Sequence, residues 1–130
     1  VVPSVHGTNV NHNANTWYTV HTISISNVKS GSHVHVMGAI HSLIEAGGQV
    51  AYQIIDSVGG VVAVSQHTTG GTSSWHACMP TLIGKDTSPL VGNNTYTIQI
   101  RSTGINAYYN YGATDHMGSK SFYQLMEVVG

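Results

Sequence analysis

The chain has 130 residues and a mass of 13.8 kDa, enough for one domain and a core that folds without disulfide or metal, and too short for two ordinary domains. Four basic and five acidic residues make up only 7% of it and leave a net charge of −1, against about 25% charged residues in an average protein. That excludes the basic surface that nucleic acid or an anionic membrane requires, and an apolar share of 41% excludes disorder.

Cys78 is the only cysteine, so no intrachain disulfide framework exists, and the residue reads as a small buried apolar side chain. No apolar run approaches the roughly 18 residues of a membrane helix; the longest, 61–64, is strand-sized. The first residue is Val1 rather than Met, as expected for a processed product or a fragment of something longer.

Residue choice points to sheet. There are 16 Val, 10 Ile and 13 Thr but only 4 Leu, and β-branched side chains fit a pleated surface better than a helix. Residues 1–16, rich in Asn, Gly and Ser with Pro3, read as an arm or linker ahead of a single domain over 17–130. Eight strands are predicted in that domain: 17–26, 33–41, 49–56, 61–65, 75–79, 94–101, 105–111 and 119–129. In the second, Val34, Val36 and Ile40 share one face and His33, His35, Met37 and His41 the other. Residues 41–46 have room for one helical turn. Gly59-Gly60 makes a hairpin between the third and fourth strands. The clearest alternation sets Tyr96, Ile98 and Ile100 against Thr95, Thr97, Gln99 and Arg101. In the last strand Phe122, Gln124, Met126 and Val128 alternate with Tyr123, Leu125, Glu127 and Val129. Both rows are largely apolar, so both faces are expected to be covered, one by the core and one by a neighbouring subunit. The fold class is all-β, an antiparallel two-sheet jelly-roll sandwich. An immunoglobulin-like sandwich is the alternative, but its Cys…Trp…Cys pattern is absent.

Catalytic chemistry has no signature here. None of the 14 serines sits in a nucleophile elbow, and no spacing singles out two of Glu45, Asp56, Asp86, Asp115 and Glu127 as a hydrolytic pair. No phosphate loop or dinucleotide fingerprint is present, Gly70-Gly71-Thr72 being a turn. The expectation is a binding or structural protein, not an enzyme, with no cofactor. Among the nine histidines, His33 and His35 alone have a spacing with a geometric consequence: both imidazoles leave one face of a strand. They read as surface or interface residues beside Met37. The alternative is a transition-metal site, which two ligands per chain complete only if three chains meet on an axis. Tyr109 and Tyr111 read as core; Tyr108, Trp75 and His76 read as candidate surface binding residues, since exposed Tyr and Trp stack on sugars or anchor interfaces.

Several stretches resemble, in order, a known family. The closing run 118–130 passes from a serine-rich turn into an alternating strand with Leu125, Met126, Glu127 and Val128. Lys85-Asp86-Thr87-Ser88-Pro89 resembles that family's Asp-x-Pro turn, Thr95 to Ser102 its Tyr-containing strand, and Tyr108-Tyr109-Asn110 the strand after it. Thr16 to Val20 and Ser30 to Val36 resemble its first two strands. Over residues 16–130 the chain thus resembles the head domains of bacteriophage tail fibres and appendages. Departures are the many histidines, Val128 where Ile is common, and unusually few charges. The resemblance implies a jelly-roll head related in shape to tumour-necrosis-factor and complement C1q heads. It implies a homotrimer on the virion, in contact with other virion proteins and with a glycan or protein of the host surface. It implies no fixed binding residues. A capsid decoration (cement) protein and a secreted C1q-like or lectin-like domain are the alternatives.

Overall fold

The computed structural model describes residues 1–6, 10–71, 75–110 and 120–130. Among them the regular structure is entirely β. The strands are β1 (Val2–His6), β2 (Val10–His12), β3 (Tyr18–Val28), β4 (His33–Ala39), β5 (Ser42–Glu45), β6 (Gln49–Ile55), β7 (Val61–Thr68), β8 (Trp75–Cys78), β9 (Thr81–Asp86), β10 (Gly92–Ser102), β11 (Ala107–Tyr109) and β12 (Ser121–Val128). They form three four-stranded sheets: a front sheet β1-β12-β4-β9, a back sheet β3-β10-β6-β7 and an end sheet β2-β11-β5-β8. Every pairing is antiparallel. The fold is an all-β jelly-roll sandwich, as the sequence predicts.

Period-two alternation builds the core. Val34, Val36, Leu82, Tyr123 and Leu125 point inward from the front sheet, and Ile23, Ile25, Val50, Tyr52, Ile54, Tyr96, Ile98 and Ile100 from the back sheet. Two polar links hold inward-facing groups. The Tyr96 hydroxyl donates to Asp86 Oδ2 at 2.8 Å, and Asp86 Oδ1 accepts the Ser88 N–H at 2.9 Å. Desolvation and the adjacent Asp86 carboxylate push the Tyr96 phenol well above its ordinary range. The predicted hairpin joins β6 and β7: Gly59 takes φ +90°, and Asp56 Oδ1 accepts the N–H groups of Val58 and Gly60.

The end sheet is where both ladders bend and meet. The β4/β9 ladder continues as β5/β8 past the Ile40 N–H to Pro80 carbonyl bond of 2.9 Å, and the β3/β10 ladder continues as β2/β11 past the Ser102 N–H to Ala14 carbonyl bond of 3.0 Å. β11 then pairs with β5 and closes this end of the sandwich. The closure is tied to β12 by polar groups. Ser121 Oγ donates to Asn110 Oδ1 at 2.7 Å and accepts the His41 N–H at 3.0 Å, and the Tyr109 and Tyr123 hydroxyls are hydrogen-bonded.

The strand inventory departs from the sequence reading in three places. Residues read as an arm form β1 and β2, with Val2 and Val10 packed on the core. The one helical turn expected at 41–46 is instead β5, because Ser42 and Ile44 are drawn inward and paired on both sides. Residues 81–86 form β9, an edge strand the reading had not counted. Tyr111 and Asp115 lie outside the described residues.

Two outcomes test this packing. At Gly84 a Cβ would meet the Val62 carbonyl, where β9 lies against β7. Gly84→Ala therefore has to push two backbones apart and is expected to cost about 1–3 kcal/mol, read as a fall in thermal midpoint. Glu127 Oε1 accepts the Lys29 N–H and the Ser32 hydroxyl, both at 2.7 Å, and the Lys29 N–H chiefly holds the carboxyl below its ordinary range. Its contribution is present above the unfolded carboxylate range and is lost as pH falls through the lowered value. Urea unfolding of the Glu127→Gln variant is expected to depend less steeply on pH on the acid side than that of the parent.

Candidate functional site

The two large sheets show opposite chemistry on their outward faces. The exposed apolar residues on the outward face of the front sheet are Val5 of β1, Phe122, Met126 and Val128 of β12, Met37 of β4 and Ile83 of β9, and the same face carries His33, His35, Thr81, Lys85 and Gln124. Register puts them in rows: Val5–Phe122–Ala39, Gln124–Met37–Ile83, Met126–His35–Lys85. A depression of about 350 Å³ opens among Pro3, Val5, Met37, Ala39, Phe122 and Gln124. On the back sheet the outward positions are mostly Thr, Ser and Gln. Gln53 Nε2 donates to Gln99 Oε1 at 2.7 Å, Gln99 Nε2 donates to Thr19 Oγ1 at 3.3 Å, and the Ser24 and Thr95 hydroxyls lie 3.0 Å apart. Arg101 stands over Trp17 at 4.8 Å, and Val61 and Val64 are the exposed apolar residues of β7.

His33 and His35 leave β4 on the outward apolar face, beside Met126 and Val128 of β12. The carbonyl of Thr87 can only accept, so His33 Nδ1 donates to it at 3.2 Å, which leaves Nε2 as the acceptor of the neutral ring. The strand neighbour of His35 on the other side is Lys85, whose ammonium repels a cation. Among the described residues no three of His, Cys, Asp or Glu cluster as a metal site within one chain.

The second feature lies on the outward face of the end sheet. Inward anchoring of Ile44 and Tyr109 turns their neighbours Leu43, Glu45 and Tyr108 out. Glu45 is paired with Trp75 and Leu43 with both Tyr108 and Ala77. The indole of Trp75, 48% exposed, reaches across β5 to the Tyr108 ring, with centroids 5.4 Å apart and planes tilted by 49°. Asn106 donates its backbone N–H and its side-chain amide to Glu45 Oε2 at 2.9 and 3.0 Å. Two of the three sequence-predicted surface residues, Trp75 and Tyr108, are thus brought together. The third, His76, is not: it alternates to the inward side opposite Ile44, with Nε2 enclosed. Cys78 faces the same way, against the core, and burial raises its thiol.

Sequence reasoning missed Glu45, Asn106 and Ile83. The sequence leaves room for Glu45 in a helical turn over 41–46. Its signal was the pair Ser42/Ile44 against Leu43/Glu45, a period-two pattern too short to separate from a turn. Ile83 was missed with β9, which is not among the strands the sequence predicts.

No protein-family model and no curated protein matches the chain. Solved structures match at low identity. The carbohydrate-binding module TmCBM61, solved in complex with β-1,4-galactotriose, is similar at 13% identity with a TM-score of 0.43, over 97% of this chain and 82% of that one. The C-terminal domain of EclA, described as a sugar-binding protein, is similar at 12% and 0.42, over 94% and 78%. The enzymatically active domain of tailspike protein 4 from bacteriophage CBA120 is similar at 15% and 0.34, over 96% of this chain and 19% of that one.

Proposed function

We propose that this chain is a non-catalytic binding head of a phage tail fibre or appendage, assembled as a homotrimer through the outward face of its front sheet and turning its neutral polar surfaces to the host. The observation that carries the reading is the contrast between the two outward faces. Four strands at about 4.8 Å spacing and about seven residues of about 3.3 Å make a face on the order of 400 Å² in projection. A largely apolar patch of that size marks a contact surface rather than scattered side chains. A second copy fits it chemically. The face carries His33, His35 and Lys85 as its only titratable groups among the outward positions of β4, β9 and β12, so copies meet there with little repulsion, and a closed threefold ring turns this face of each copy toward its two neighbours. The same arrangement serves a capsid decoration protein, which needs a self-associating inner face and a passive polar outer one. A surface with few charges is also poorly protected against association as a lone chain, which favours the assembled form.

Met126 tests this. It is 38% exposed in the single chain, so Met126→Asp leaves the fold intact, and on an assembled face it desolvates a carboxylate. Light scattering of the parent at micromolar concentration is expected to give three chains. Met126→Asp is expected to weaken assembly about a hundredfold or more while keeping the parent far-ultraviolet circular dichroism. A monomeric parent overturns the reading, and so does a variant that assembles as well as the parent.

His33 and His35 supply a further test. In a trimer whose axis passes near β4, the six imidazoles of three copies form a donor set suited to zinc, nickel or copper, with Lys85 working against it. If the axis holds a metal, elemental analysis after metal-supplemented preparation at neutral pH returns about one ion per trimer, and chelator lowers the stability of the assembly. Less than about 0.1 ion per trimer, with no stability change on adding chelator, assigns the histidines to the protein–protein contact alone.

A further inference from the structure

We infer that the outward face of the end sheet is a carbohydrate site whose ligand class is neutral sugar rather than acidic sugar. The inference rests on the reading of the chain as a binding domain and deepens it, but not on the trimer. Three observations converge on one patch. Trp75 and Tyr108 form a bent aromatic shelf at 5.4 Å and 49°. A shelf of this kind covers the apolar C–H face of a pyranose, while leaving the hydroxyls at its rim accessible. Leu43, paired with Tyr108 and half-buried, lies between the strands that carry the two rings. At the rim stands Glu45, the strand partner of Trp75.

Glu45 is what sets the class. Its Oε2 is held by both donors of Asn106, which fixes the carboxylate, and among the described residues no donor bonds its Oε1. A fixed carboxylate oxygen beside an aromatic shelf accepts from sugar hydroxyls in charge-assisted hydrogen bonds. The same carboxylate repels a sialic or uronic acid. Among the described residues no cation on this face offsets it: the outward residues of β2, β11, β5 and β8 are Asn11, Tyr108, Leu43, Glu45, Trp75 and Ala77, and Glu45 is the one charge among them. Aromatic stacking is indifferent to sugar charge, so the discrimination falls to Glu45.

The experiment titrates the full chain with neutral gluco-, manno- and galacto-oligosaccharides and with sialylated and uronic-acid counterparts of the same length, by calorimetry. Binding of at least one neutral series is expected, with its acidic counterpart about tenfold weaker or more. Trp75→Ala and Tyr108→Ala are each expected to weaken binding about tenfold or more, and Trp17→Ala, on the other large indole, to leave it unchanged. Glu45→Gln is expected to narrow the gap between neutral and acidic ligands, which loss of structure would not do. Thermal melting of each variant separates loss of the site from loss of the fold. Absence of binding to every neutral series at millimolar concentration overturns the inference, as does undiminished binding in folded Trp75→Ala or equal affinity for acidic sugars. These failures remove the sugar site and leave the assembly reading standing if light scattering of the parent returns three chains; a monomeric parent that still binds neutral sugar does the reverse.

Discussion

Alternate residues of every long strand enter one shared core, and the opposite alternate residues must then find another partner. In a chain with 7% charged residues that partner is rarely an ion's hydration shell. The back sheet solves the problem with Thr, Ser and Gln that bond to one another across strands, as in Gln53–Gln99–Thr19. The front sheet instead presents Phe122, Met126, Met37 and Ile83. The same period-two rule thus produces a polar face on one side of the sandwich and an apolar face on the other, and the functional reading follows from that difference.

The rule also fixes the end sheet. Tyr109 is held inward by the Tyr123 hydroxyl, and Asn110 by Ser121. Tyr108, flanked by the inward Ala107 and Tyr109, has no choice but the outward side, where the register of β5 and β8 brings Trp75 to it. A core interaction therefore positions a surface pair. Removing the Tyr109–Tyr123 link would be felt first as a loss of order in β11, and through it in the aromatic shelf.

The long strands were legible because alternation over seven or more residues admits one phase. Tyr96, Ile98 and Ile100 are buried as read, and so are Val34, Val36 and Ile40. The apolar outward row of β12 was also legible, since Phe122, Met126 and Val128 alternate with an equally apolar inward row. Of the short strands, β8 and β11 were legible as 75–79 and 105–111, whereas β1, β2, β5 and β9 were not. β1 contains Pro3, which a sheet tolerates only where no donor is needed, and the edge position of β1 meets that condition. β9 contains Gly84, whose missing side chain permits the close approach to Val62. In β8, alternation separates Trp75 from His76 but cannot say which faces out; the pairing of Glu45 with Trp75 and Ile44 with His76 decides it, and pairing is not written in either strand alone.

The central claim is that the front face is covered in the working protein. Met37, Met126 and Met79 are 44%, 38% and 49% exposed in the single chain. Met37 and Met126 lie on the front face, whereas Met79 lies in the connection between β8 and β9. Limited peroxide oxidation of the native protein, read residue by residue by mass spectrometry, compares them within one sample. A covered face leaves Met37 and Met126 protected while Met79 oxidises readily. Equal oxidation of all three at concentrations where assembly is complete would contradict the account.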